Sequence, residues 1–212
     1  MKKLVLISLL ANIIFSFYTS GQGNINLKLK EGDIVLQKIP CGDLCDAIIA
    51  TTPCEQNRMF NHCGIVHYEK NMPYVIEAIG KEVKLSPLPD FLQRDNSPTL
   101  YVARLKPEYK SYIETGVKKA IVYIGAPYDD AFLPGSDSLY CSELVYNCFK
   151  KDSAPHLFPM EPMTFKSKNG KTFPAWSAYY KKLNMDVPEG KPGINPCAIA
   201  NSQVVNLISI AK

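Results

Sequence analysis

Between Glu31 and Lys106 the chain carries five short runs rich in β-branched and aromatic residues, separated mostly by turn residues. They are "EGDIVLQKI", "HCGIVHY", "PYVIEAIG", "EVKLSPL" and "TLYVARLK". A parallel pair of strands needs a crossover of a dozen or more residues. The gap between the second and third runs is only "EKNM", so those two are expected to form a hairpin. This series constrains the fold most: it predicts an antiparallel sheet. Helical patterns accompany it. "DLCDAIIAT" reads as a short helix, and "PDFLQR" as another, opened by Asp90 or by the preceding proline. From Glu108 to Gly125, Tyr109, Tyr112, Ile113, Gly116, Val117, Ala120, Ile121 and Ile124 recur at three- and four-residue steps. That spacing gives one apolar face, and Gly125 and Pro127 end the helix. A sheet with helices packed against it is an α+β domain. Beyond Lys151 the chain is richer in Pro, Lys and aromatics, and its tail from Val187 to Ile210, "VPEGKPGINPCAIANSQVVNLISI", reads as an extended wrap ending in a strand.

The first residues have a different build. Lys2 and Lys3 precede an apolar run from Leu4 to Tyr18, and small and polar residues follow. Charged, apolar and cleavage regions in that order predict a signal peptide over residues 1–21. The run is shorter than the roughly 20 residues a membrane span needs, so no span is expected after cleavage. Residues 22–212 are then one domain, large enough for a real core. Over the whole chain 24 Lys and Arg face 20 Asp and Glu, and two of the lysines leave with the leader. Such a mild excess, without a basic block, gives no support for nucleic-acid binding.

Seven cysteines fit an exported protein. Cys41, Cys45, Cys54 and Cys63 crowd into one region and Cys197 lies near the C-terminus. In a periplasmic or secreted location they are expected to form disulfides, though the pairing cannot be read from spacing. A zinc site that includes His62 is the alternative, but the spacing matches none of the usual knuckles. No metal or organic cofactor is expected. An odd total leaves at least one thiol unpaired within the chain.

Cys141 and Cys148, in "YCSELVYNCF", behave differently. On a helix they lie two turns apart, roughly 10 Å along the axis, too far to be joined to each other. Ser138 or Asp137 is a natural N-cap, which sets Cys141 in the first turn, where unpaired N–H groups and the helix dipole favour a thiolate. Cys148 falls in mid-helix among apolar neighbours and is expected to be inert packing. A nucleophilic thiol needs a base, and the base an orienter. Of the three histidines, His156 lies in a loop-like stretch and His67 at the far end of its strand. His62 opens its strand and shares a face with Gly64 and Val66, whereas Cys63 points to the other face and is assigned a structural role. If the hairpin pairs His62 with Glu77 or with Ile79, His62 and Glu77 share a face. A one-residue slip would separate them. Taken singly, each has a plain structural reading: a small core cysteine, a hydrogen-bonded strand histidine, an edge glutamate.

The ordered set "GDIVLQ", "NHCGIV", "YVIEAIG" with "PLPDFLQR", "YIGAPYDDAF" and "LYCSELVY" resembles the YiiX/YaeF-like amidases. These belong to the circularly permuted papain-like branch of the NlpC/P60 superfamily. The resemblance spans about residues 31 to 150, with a looser extension to "GINPCAIANS". It implies a permuted papain-like fold with Cys141 as nucleophile, His62 as base and Glu77 as the group orienting the imidazole. Tyr140 is expected to line the substrate site. Asp129 and Asp130, in "PYDDAF", read as a turn held by aspartate side chains. The function so implied is an exported cysteine amidase or peptidase acting through an acyl-enzyme, on cell-wall peptides or on N-acyl, lipid-like amides. Two alternatives stand beside it. One is a lipid acyltransferase or thioesterase on the same fold, favoured by a hydrophobic groove at Cys141. The other is a non-catalytic binding module, which requires Cys141 to be oxidised or held away from His62.

Overall fold

Two faces of one sheet are covered by apolar side chains, and this double burial explains why β1 (Ile34–Gln37) has no polar alternation until Gln37. In the computed structural model, which describes residues 28–52, 54–150 and 154–212, Ile34 and Leu36 belong to one core cluster and Val35 to another. The predicted leader lies outside the described residues. After β1 come α1 (Asp43–Thr51), β2 (His62–Glu69), β3 (Met72–Ile79), β4 (Glu82–Pro87), α2 (Leu88–Gln93) and β5 (Thr99–Leu105). Then follow α3 (Ile113–Val122), α4 (Cys141–Cys148), β6 (Glu161–Pro162), α5 (Pro174–Lys182), β7 (Pro192–Gly193), α6 (Pro196–Ala200) and β8 (Val205–Ala211). The sheet order is β4-β3-β2-β1-β5-β8, with every neighbouring pair antiparallel. The expected α+β architecture is present.

On one face, α3 and α4 cover Ile34, Leu36, Cys63, Ile65, Ile76 and Ala103. On the other, α2 sets Leu88, Phe91 and Leu92 against Val35, Val66, Val75 and Val102. A third cluster lies beside the sheet, where α1 meets α5 through Ala47, Phe165, Trp176 and Tyr180.

The hairpin turn decides the register that matters. Lys70 and Asn71 both adopt positive φ, 48° and 67°, the pattern of a two-residue turn whose twist matches its strands. Glu69 therefore faces Met72, and Ile65 faces Ile76. Continued toward the strand ends, this register sets Gly64 across from Glu77 and makes His62 and Glu77 diagonal neighbours on one face. Gly64 is needed there, because a Cβ at that position would meet the Val75 side chain at 2.4 Å and the Glu77 Cβ at 3.1 Å.

Three local expectations are corrected. Pro107–Tyr112 forms a tighter 3-10 turn, and the α-helix proper begins only at Ile113. Ile121 and Ile124, counted in its apolar face, are each 42% exposed: Ile124 lies beyond the helix end at Val122, and Ile121, in the last turn, is left outside the core. The tail is not simply an extended wrap. It contains α6 before its last strand, and α6 is capped by the Asn195 side chain accepting from the Ala198 N–H.

Candidate active site

Helix α4 begins at Cys141 itself, with Tyr140 as N-cap rather than Ser138 or Asp137. No side-chain cap bonds from Tyr140, but Glu143 reaches back to accept from the Tyr140 N–H, half of a capping box. The first helical hydrogen bond runs from the Leu144 N–H to the Tyr140 carbonyl, so the Cys141 N–H precedes the ladder, at the positive end of the helix dipole. Helix α4 lies over β2 and brings Cys141 to the strand end that carries His62 and Cys63.

The side chains so gathered form a chain of hydrogen bonds. The Cys141 sulfur receives bonds from the Cys63 thiol, from the His62 ring and from the Cys63 backbone N–H. His62 Nε2 is 2.6 Å from Glu77 Oε2, which leaves Nδ1 for the cysteine. Glu77 Oε2 also accepts from Arg94 at 2.8 Å, and Arg94 bonds Glu77 Oε1 through its second guanidinium nitrogen. The Ser86 hydroxyl supplies a further bond to the same carboxylate. Glu77 is fully buried and His62 only 3% exposed. A buried carboxylate without such partners would be costly. Here each partner has a fixed origin: β2 supplies His62, β4 supplies Ser86, and Arg94 follows directly on α2.

The electrostatics follow from these contacts. For Cys141 the Cys63 hydrogen bond is the largest influence; together with the His62 bond and charge it outweighs burial and holds the thiol well below its ordinary range. Burial alone would lower the His62 pKa, but bonds to Cys141 and Glu77 and their charges raise it to about 9. Burial pushes Glu77 up, yet His62 and Arg94 bring it down to about 2. All three shifts favour the charged forms, thiolate at Cys141, imidazolium at His62 and carboxylate at Glu77. Cys63, raised well above its ordinary value by burial and by the neighbouring sulfur, keeps its proton and donates it.

Cys141 also lines a cavity of about 200 Å³ whose wall is mainly apolar. Tyr140, Tyr128 and Phe132 contribute to one part of it, Trp176, Phe165 and Met163 to another, and Ile48 and Ile194 close it further. Tyr140 is fixed there by its hydroxyl, which accepts from the Ile194 N–H at 3.1 Å. Asp129 shapes the adjoining loop by accepting from the Ala131 and Leu133 N–H groups, the turn role read from the sequence.

Residues 28–209 match the family described as "Permuted papain-like amidase enzyme, YaeF/YiiX, C92 family". The chain belongs to that family. A curated relative, the uncharacterized protein YiiX of Escherichia coli (strain K12), is 30% identical over 123 residues. That match spans 56% of this chain and 56% of the relative, so somewhat over half of the relative's length is covered. A solved structure of YiiX from Escherichia coli O157:H7, described as a metalloprotein, superposes with a TM-score of 0.68 at 22% identity. It covers 86% of this chain and 97% of that one, a likeness of fold. Among the described residues of the present family member, no group of three or more His, Cys, Asp or Glu is arranged to hold a metal ion.

The permuted papain-like frame brings Cys141, His62, Glu77 and Tyr140 together. His67 and His156 stay apart: His67 pairs with Glu31, and His156 stacks on Tyr146. The disulfides are Cys41–Cys45 and Cys54–Cys197, with Cys63, Cys141 and Cys148 free. Cys63 does point away from the His62 face, as expected, but the face it joins is the one α4 covers. Its assignment to a structural role missed that contact. Arg94 was also missed, although one signal existed: a buried glutamate has two oxygens, and a single histidine satisfies only one of them. The cavity wall from α5 and from residues 193–198 left no signal in the sequence, since those residues are distant in the chain.

Proposed function

We propose that the protein is a cysteine amidase that acts through an acyl-enzyme on amides bearing an apolar acyl group. The observation that carries this reading is Cys141 itself, a cysteine outside both disulfides at the wall of a mainly apolar cavity, its thiol driven down first by Cys63 and then by His62. In the proposed reaction the Cys141 sulfur attacks the amide carbonyl carbon. The Cys141 N–H, free at the helix start, donates to the developing oxyanion. His62 gives its proton to the leaving amine and then takes one from the water that releases the acyl group. Glu77 holds the imidazole in place, and Tyr140 lines the acyl site.

The cavity's mainly apolar wall supports N-acyl or lipid-like amides over cell-wall peptides, with Asn61, Glu161 and Thr164 among the polar residues on the same wall to meet the amide. The same apolar wall favours a second reading, transfer of the acyl group from Cys141 to an amine or alcohol instead of water. Against the non-catalytic reading, which needs Cys141 oxidised or held away from His62, stand a Cys141 outside both disulfides and a His62 whose pKa responds to it. Work in an oxidising compartment outside the cytoplasm is supported by Cys41–Cys45 and Cys54–Cys197.

The deciding experiment incubates wild type and Cys141→Ala with N-acyl amides of graded chain length, with and without an added amine acceptor. Wild type should release amine and show a Cys141 acyl adduct by intact mass, strongest for apolar acyl groups. Release of amine by Cys141→Ala at the wild-type rate would sink the reading. Product found mainly on the added acceptor would favour the transferase.

A further inference from the structure

Four of the seven cysteines are already oxidised, and the three that are not are divided by the fold. Cys148 lies two helical turns from Cys141, while Cys63, on the strand that α4 packs against, shares a buried cluster with it and its thiol bears on the Cys141 sulfur. Strand alternation explains the contact. Cys63 and Ile65 point to the α4 face and share a cluster with Cys141, Leu144 and Val145. The ladder between β2 and β3 begins only at Ile65↔Ile76. Cys63 therefore sits at the strand end next to α4, its thiol and N–H both turned to one sulfur.

Access to the two sulfurs is unequal. Cys141 lines the cavity and Cys63 does not. An oxidant of a few atoms fits in about 200 Å³, since a water molecule takes only about 30 Å³. It meets Cys141 first, and the thiolate is the form that reacts. Cys63 waits behind it as a protonated thiol.

We propose that Cys63 and Cys141 form a reversible intramolecular disulfide when the protein meets a hydroperoxide, so that Cys63 is the resolving thiol of the nucleophile. The Cys141 sulfur attacks the distal peroxide oxygen. The O–O bond breaks, a sulfenic acid forms, and the leaving alkoxide or hydroxide takes a proton from the His62 imidazolium. The Cys63 sulfur then attacks the Cys141 sulfur. An S–S bond forms, the S–O bond breaks, and the Cys63 proton leaves with the hydroxide as water. In sum two thiols are oxidised and one hydroperoxide is reduced to an alcohol, or water, plus a second water. A dithiol reverses the step by exchange. Oxidation stops short of the irreversible sulfinic and sulfonic acids.

Like the hydrolase reading, this one needs Cys141 to be a reactive thiolate, but its readout is mass and not turnover. The test exposes the full protein, with its two other disulfides intact, to hydrogen peroxide, then alkylates, digests and maps it. Expected is a peptide pair joining Cys63 to Cys141, lighter by two hydrogens, which a dithiol separates. In Cys63→Ala, Cys141 should instead gain two or three oxygens. Wild-type Cys141 found as sulfinic or sulfonic acid with Cys63 still alkylatable would overturn the proposal. So would Cys141 joined to any other thiol, or left reduced. If Cys63→Ala does not fold, the wild-type map alone decides. Failure to hydrolyse any amide leaves this result standing, and failure to form the disulfide leaves the hydrolase reading intact.

Discussion

The two ends of α4 carry the same side chain in opposite states. Cys148 is fully buried among Leu144, Val145 and Phe149, and burial pushes its thiol far up. Cys141 is also buried, only 6% exposed, yet its thiol is driven down. Burial therefore does not separate them; partners do. At the first turn Cys141 meets two donors on Cys63 and the imidazole of His62, whereas Lys119 is the one charged group counted against burial at Cys148, and it is the weaker influence. The lesson concerns position on a helix: the N-terminus of α4 is open to groups from a neighbouring strand, whereas Cys148, its last residue and not the mid-helix position the sequence suggested, is closed in by apolar side chains.

The sharpest break of this contrast is to remove each sulfur in turn. Cys141→Ala is expected to lower kcat/KM on a cleavable amide by about 10³-fold or more, with the fold retained by circular dichroism. Next comes the group behind the base. Glu77→Gln should reduce turnover by about 10²-fold, in keeping with a mispositioned general base. It should also destabilise the fold by about 3 kcal/mol, because Arg94 and His62 lose a buried counter-charge; urea unfolding measures that part. Wild-type stability should vary with pH in a defined way. The His62 pairing is fully present below pH 6.5 and fades as pH rises through about 9. Glu77 contributes above about pH 4.5 and loses its contribution as pH falls toward about 2.

Arg94→Gln sharpens the contrast more gently. Glu77 keeps its histidine, so kcat should fall about tenfold with KM little changed. Restoration by Arg94→Lys should be incomplete, since a single ammonium cannot bond both oxygens. Alkylation then separates the two thiols directly. Cys141 should react across neutral pH, with hydrolysis declining above about pH 9 as His62 loses its proton. Cys148 should stay unlabelled until the protein unfolds. The smallest effect belongs to Cys148→Ala, which should leave turnover unchanged and cost about 1 kcal/mol of stability through a small cavity.

What was legible in the sequence lay within single elements. The β-rich runs gave five of the six strands of the main sheet, because alternation and turn residues are local properties; β8, the sixth, was read only as a closing strand. "DLCDAIIAT" gave α1, and the ordered motifs pointed to Cys141, His62, Glu77 and Tyr140. The His62–Glu77 relation was open between face-sharing and a one-residue slip. The left-handed Lys70–Asn71 turn closed that choice, and turn conformation is not written in residue type alone.

Taken by itself, the sequence determined the α+β class, the low-pKa candidate at a helix start and the inert cysteine two turns on. These follow from periodicity and from the fixed rise of a helix. Only the tertiary structure decided that Cys63 touches Cys141, that Arg94 completes the Glu77 carboxylate, and that Trp176 and Ile194 join α4 around one cavity. Each of these joins residues from separate segments of the chain. Side-chain pattern fixes which face a residue takes, but what lies against that face is set by how the elements pack.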